Sequence, residues 1–151
     1  MDRAWGAVLG LIFVAFVGGS FLLGHISGAN AGGCDRPLAA LPGGTTISAD
    51  AFVAEDTSLG QVIDYLNQGD STNADNTFYG PVHSFMHNAD PPIRLANEKL
   101  ARTLCETVVQ LETDLLAGSK VTTYKLADDT TQVREALREG AVALGYPRPG
   151  S

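Results

Sequence analysis

A small, mostly α-helical domain behind a single N-terminal transmembrane segment is the fold the sequence predicts. Three observations predict it. Residues 4–24, AWGAVLGLIFVAFVGGSFLLG, carry no charge and only one polar side chain, Ser20. Apolar residues recur at helical spacing in the remaining chain, and capping residues and glycines punctuate those runs. A two-stranded β element is the one departure expected from an all-helical domain, which makes the class mostly α with α+β as the alternative.

The 4–24 run, as a helix, would span roughly 31 Å, about the thickness of a bilayer's hydrocarbon core. Residues 1–3 form a short cytoplasmic n-region in which Arg3 and the amino terminus are positive. No Lys or Arg follows until Arg36, so the positive-inside rule sends the rest of the chain outward. Trp5 suits the interface near one end. Gly6 and Gly10 make a G-x-x-x-G that, with Phe13 and Val17 on the same face, lets a second transmembrane helix approach closely. The rival reading of the segment is a signal peptide, with Ala29-Asn30-Ala31 as its cleavage site and Gly32 as the new N-terminus. Its length favours the uncleaved anchor. Ala31-Gly32-Gly33-Cys34 resembles a lipobox poorly, because no aliphatic residue precedes the Cys at the required place. In both main readings the domain lies outside the cytoplasm, periplasmic or extracellular.

Residues 25–46, rich in Gly, Ala and Pro, read as a linker with a short apolar contact at Leu38 and Leu41. One small domain follows over 47–146, since roughly 105 to 115 residues are enough for one and not two. The formal net charge of −7 resides entirely beyond the apolar run. No cluster of Lys and Arg stands ready for nucleic acid or an anionic lipid surface. Cys34 and Cys105 are the only cysteines, and outside the cytoplasm a disulfide between them is expected. Closing so long a loop contributes roughly 4 kcal/mol in the chain-entropy picture.

Within the domain, TTISADAFVA over 45–54 alternates enough for a short strand, with a helix capped by Ser48 as the rival. Ser58 and Gln61 form a capping box for a helix whose face is Leu59, Val62, Ile63 and Leu66, ending at Gly69. Residues 69–77 read as a polar loop. They lack the glycine and glutamate an EF-hand would need. Pro81 opens a short helix, PVHSFMH. A long helix is expected from Pro91 to Ala117, capped by Asp90 and carrying Ile93, Leu100, Leu104, Val108, Leu111 and Leu115. KVTTYKL, residues 120–126, reads as a strand able to pair with 45–54. Asp129 and Gln132 cap a last helix bearing Val133, Leu137, Ala141 and Leu144, and residues 147–151 read as a mobile tail.

The chemistry the sequence offers is narrow. No nucleophile motif, Walker loop or dinucleotide fingerprint is present, so no catalytic residue and no organic cofactor are assigned. His83 and His87 stand four apart, which places both imidazoles on one helix face at a spacing a zinc or copper site uses. A third ligand would have to come from Asp90, Asp75 or Asp70, none of which the sequence singles out, and the other reading of the pair is surface or capping histidines. Met86 points away and packs with Phe85 and Val82, and Ser84 occupies the place where zincins carry their glutamate. The leading functional expectation is a non-enzymatic, single-pass accessory subunit that contacts other membrane subunits through its transmembrane helix and acidic domain. The alternative is a secreted or periplasmic metal-binding domain built on His83 and His87.

Overall fold

Ser48 terminates the extended entry to the domain and starts its first helix. Its hydroxyl oxygen accepts the Ala51 N–H at 3.2 Å, and α1 runs from there over Ala49–Asn67. The computed structural model describes residues 33–43 and 46–151, all within the compact unit Gly32–Ser151. The 4–24 segment, Gly6, Gly10 and the Ala31 cleavage site lie outside the described residues. Among the described residues no helix is long and apolar enough to cross a membrane.

After α1, Gly69 takes a left-handed φ of 78° that reverses the chain. A continuous helical stretch follows, built from α2 (Ser71–Thr77), a wide π-type turn (Phe78–Val82) and α3 (His83–Ala96). Gly80 leaves helical angles at φ −80°, ψ −136°, and Pro81, which has no N–H to satisfy, follows it. Helix α4 spans Glu98–Ala117, capped by Asn97, whose side chain accepts the Leu100 N–H at 3.1 Å. Gly118, at φ 58°, ends it and opens a 3₁₀ turn over Gly118–Lys120, after which Thr122 caps α5 (Thr123–Ala143).

The helices form a bundle in which α5 lies between α1 and α4, α3 packs along α4 and more lightly on α5, and α2 covers α1. Its core combines Phe52, Leu59, Val62 and Leu66 of α1 with Phe85, Met86 and Ile93 of α3. Leu104, Val108 and Leu111 of α4 and Val133, Leu137 and Ala141 of α5 complete it. Phe52 meets Phe85 edge-on at 5.1 Å between centroids. Gly140 allows α3 to come close to α5: a Cβ built there would lie 2.5 Å from Ile93 Cδ1.

The mostly helical class is confirmed, while several local expectations are corrected. Residues 46–54 and 120–126 contain no strand. Residues 49–54 belong to α1, while Lys120 ends a 3₁₀ turn, Thr122 caps α5 and 123–126 form its first turn, so neither segment keeps a pairing partner. Ser58 is inside α1, its hydroxyl donating to the Ala54 carbonyl at 3.1 Å instead of capping. Asp70 caps a short helix where a loop was expected, accepting the Asn73 N–H at 3.1 Å. Pro91 and Pro92 lie inside α3 and do not open a helix; the break falls at Asn97. Asp129 is within α5, buried and paired with Lys125 at 2.5 Å. The C-terminal segment is tied down, with Tyr146 packed 5.7 Å from Phe52 and Arg148 bonded to Glu135 at 2.6 Å and to Glu139.

One polar knot crosses the α1–α5 interface. Arg134 donates to both carboxylate oxygens of buried Asp56, Nε to Oδ1 at 2.9 Å and Nη2 to Oδ2 at 2.8 Å, and Arg138 adds Nε to Oδ1 at 2.5 Å. Burial alone would raise the Asp56 pKa, but the two guanidiniums outweigh it and hold the carboxyl below its ordinary 3.8. Removing this carboxylate leaves two arginines facing an apolar interface, so Asp56→Ala should lose about 3 kcal/mol in urea denaturation at neutral pH. Because the folded pKa is depressed, that stabilisation is present above pH 3.8 and fades as pH falls through the folded value, so the wild-type advantage should shrink in acid. Gly140→Ala should cost about 1–3 kcal/mol by overpacking, and Gly140→Ala with Ile93→Val should recover part of that loss.

Candidate metal centre

The wide turn at Phe78–Val82 delivers His83 to the first position of α3, and one helical turn later comes His87. Their rings face the same way, 4.6 Å apart between centroids. Glu112 reaches them from α4, the neighbouring helix. Its Oε1 lies 2.7 Å from His83 Nε2 and 3.3 Å from His87 Nε2. The three potential ligand atoms all fall within 4.8 Å of one another, with His83 and Glu112 half-buried and His87 buried.

Hydrogen bonding fixes what His87 presents. Its Nδ1 lies 2.8 Å from the Ala39 carbonyl oxygen, an acceptor only, so Nδ1 carries the hydrogen. In a neutral ring Nε2 then has a bare lone pair, and it is aimed at a carboxylate that also has only lone pairs to offer. Two acceptors at 3.3 Å require a cation between them. In the metal-free protein a proton fills that role. Burial would lower the His87 pKa, yet the Glu112 hydrogen bond, the Ala39 carbonyl and the nearby carboxylates raise it. Burial would likewise raise Glu112, and the two imidazoles instead pull it down to about 2.

The side of the cluster toward α2 is aromatic and acidic. Tyr79 meets the His83 ring edge-on at 5.3 Å, and Phe78 lies 5.7 Å from it. Burial, then the charges of Glu112 and Asp75, push the Tyr79 phenol up to about 12. Asp75 is itself raised by burial. The His83 and Glu112 side chains keep 17% exposure each, against 2% for His87, so solvent reaches the cluster from the His83 side. Two imidazole nitrogens and one carboxylate oxygen form a donor set suited to Zn²⁺ or Cu²⁺, and two His with one Glu is also the protein ligand count of open zinc sites.

The two histidines share one helix face, as their spacing predicts, and the third group that converges on them comes from another helix. Asp70 is engaged as a cap. Asp90 is fully buried, accepting the Leu38 N–H and an Arg94 Nη2–H at 3.1 Å. Asp75 is not one of the three converging donors. The sequence carries one cue to Glu112. It stands four residues after Val108 and seven after Cys105, an acid on the inward face of an otherwise apolar stripe. Met86 is fully buried in the core, as expected, which leaves a copper site without a thioether from it. Cys34 and Cys105 form a disulfide with Cα atoms 5.7 Å apart. Comparison with protein-family models, curated proteins and solved structures found no match to the chain.

The signs of the two shifts define a pH window for the metal-free protein. Glu112, depressed to about 2, contributes stability above its unfolded value of 4.5 that is lost as pH falls. His87, raised, contributes below its unfolded value of 6.5, and this is lost as pH rises through the folded value. With chelator present, the urea stability of wild type relative to Glu112→Gln should therefore peak near pH 5–6 and narrow toward both about pH 3 and about pH 9.

Proposed function

We propose that this chain is an extracytoplasmic metal-binding domain, carried at the membrane by the 4–24 segment, that holds a divalent zinc or copper ion through His83, His87 and Glu112. One observation carries the reading. Buried His87, its Nδ1 hydrogen committed to the Ala39 carbonyl, turns Nε2 toward the Glu112 carboxylate 3.3 Å away, so that a proton or a metal ion can be shared between the two. The neighbouring His83 supplies a second nitrogen at 2.7 Å from the same carboxylate oxygen. Location outside the cytoplasm is supported by the charge asymmetry around the apolar run and by the Cys34–Cys105 disulfide. The accessory-subunit role, with Gly6 and Gly10 as a helix-packing face, rests on the sequence alone and is a separate proposal.

Metal binding here must displace the proton that His87 otherwise shares with Glu112, so binding should tighten as pH rises from about 5 to about 7 and that competition fades. Metal analysis of the full chain after gel filtration should find one equivalent in wild type and almost none in the His83→Ala, His87→Ala double variant. Glu112→Gln, which keeps the shape but loses the charge, should bind on the order of 100-fold more weakly. Equal metal content in all three proteins would dismiss the site.

A further inference from the structure

The segment that orients His87 is itself unusual. Residues 33–41 make one 3₁₀ turn, Gly33–Asp35, and then continue without regular structure. Among them only Leu38 is buried. What holds the segment down is a series of polar contacts, nearly all directed to α3. The Asn88 side chain brackets Leu41, its Oδ1 accepting the Leu41 N–H and its Nδ2 donating to the Leu41 carbonyl, both at 3.1 Å. Leu38 N–H donates to Asp90, and Ala39 accepts from His87 at 2.8 Å. Arg94 reaches the carbonyls of Cys34 at 3.4 Å and Arg36 at 3.3 Å. At the near end the disulfide fastens Cys34 to Cys105, a separation of 71 in sequence, and the exposed Asp35 carboxylate pairs with Arg102 on the same helix. Cys105 lies on α4 two turns before Glu112, roughly 10 Å along the same face.

This strap therefore joins the two helices that supply the candidate ligands, and one covalent bond closes it. A segment with a single buried apolar side chain gains little from burial and must offset the entropy of ordering its backbone. Tethering one end to α4 removes much of that cost, because the remaining contacts then form within a short loop.

We propose that the strap is the positioning element of the metal centre and that the Cys34–Cys105 disulfide makes metal retention depend on thiol redox state, an inference that rests on the metal-binding reading above. A dithiol reductant cleaves the Sγ–Sγ bond: two electrons and two protons pass to Cys34 and Cys105, leaving two thiols, while the reductant closes to its own disulfide. The freed strap withdraws the Ala39 carbonyl from His87 Nδ1. The imidazole then rotates and exchanges tautomers, water enters beside it, and the ion is held less tightly. Loss of a hydrogen-bond partner to a ligating histidine typically weakens metal binding about 10–100-fold. Asn88 acts through the strap as a positioning residue and touches no ligand atom.

The test combines zinc affinity, measured by competition with a chromophoric chelator, with the rate of diethyl pyrocarbonate modification at His83 and His87 in metal-free full-length protein. Wild type is compared with the Cys34→Ser, Cys105→Ser double variant and with Asn88→Ala, in which the disulfide is intact; circular dichroism checks the fold of each. The expected result is a 10–100-fold loss of zinc affinity in both variants, with His87 modification accelerating toward the His83 rate. Should the double variant fail to fold, Asn88→Ala alone decides. Folded variants that bind zinc as tightly as wild type, with His87 still protected, overturn this proposal and leave the metal site standing. Wild type that binds no zinc overturns the metal reading and this inference with it.

Discussion

His87 is buried with its Nδ1 hydrogen committed to the Ala39 carbonyl, and that bond leaves the opposite nitrogen facing Glu112 with a lone pair unless it carries a proton. An arrangement of lone pair against lone pair is stable only with a positive charge between them. The site draws together groups from α3, α4 and the strap, whose own packing and hydrogen bonds hold them in place. Against burial, His83 and then His87, by hydrogen bond and charge, hold Glu112 down to about 2, and the neighbouring Tyr79 phenol is pushed in the opposite direction, up to about 12, by burial and by the Glu112 and Asp75 charges.

The rest of the domain supplies rigidity to that cluster. Apolar packing of α5 against α1 and α4 makes the scaffold, and the Asp56–Arg134–Arg138 knot sets the register of α1 against α5. Most buried polar groups are matched, the Arg94 Nε and one Glu55 oxygen being the exceptions among the described residues. Lys125 neutralises Asp129, while Arg94 and the Leu38 N–H satisfy Asp90. Glu55 differs: it is buried, its Oε2 has no partner, and burial raises its pKa toward the neutral acid.

Where the sequence misled, the cause was a local pattern competing with tertiary structure. KVTTYKL alternates and is β-branched, which fits a strand, but Thr122 makes a better cap, its hydroxyl oxygen accepting the Lys125 N–H at 3.2 Å, and no second strand is available to it. Pro91 resembles a helix start because proline favours the first turn. Here the chain before it is already held in α3 by Phe85, Met86 and Ala89 in the core and by the strap along Asn88 and Asp90. The tail looked unanchored because its ring and charge partners, Phe52, Glu135 and Glu139, are distant in sequence or unremarkable on a helix face.

The sequence by itself determined the helical class, the cap at Ser48, the cysteine pair as one disulfide and the histidines on one helix face. Each of these depends on periodicity, local capping or simple parity of residue types. Only the tertiary structure decided that Glu112 is the acid that converges on the two histidines, that Ala39 selects the His87 tautomer and that Asp90 is committed elsewhere. Those facts hinge on contacts between residues 25 to 52 apart in sequence. Helix packing sets such contacts, and no short-range pattern encodes which of several acids will face a given histidine.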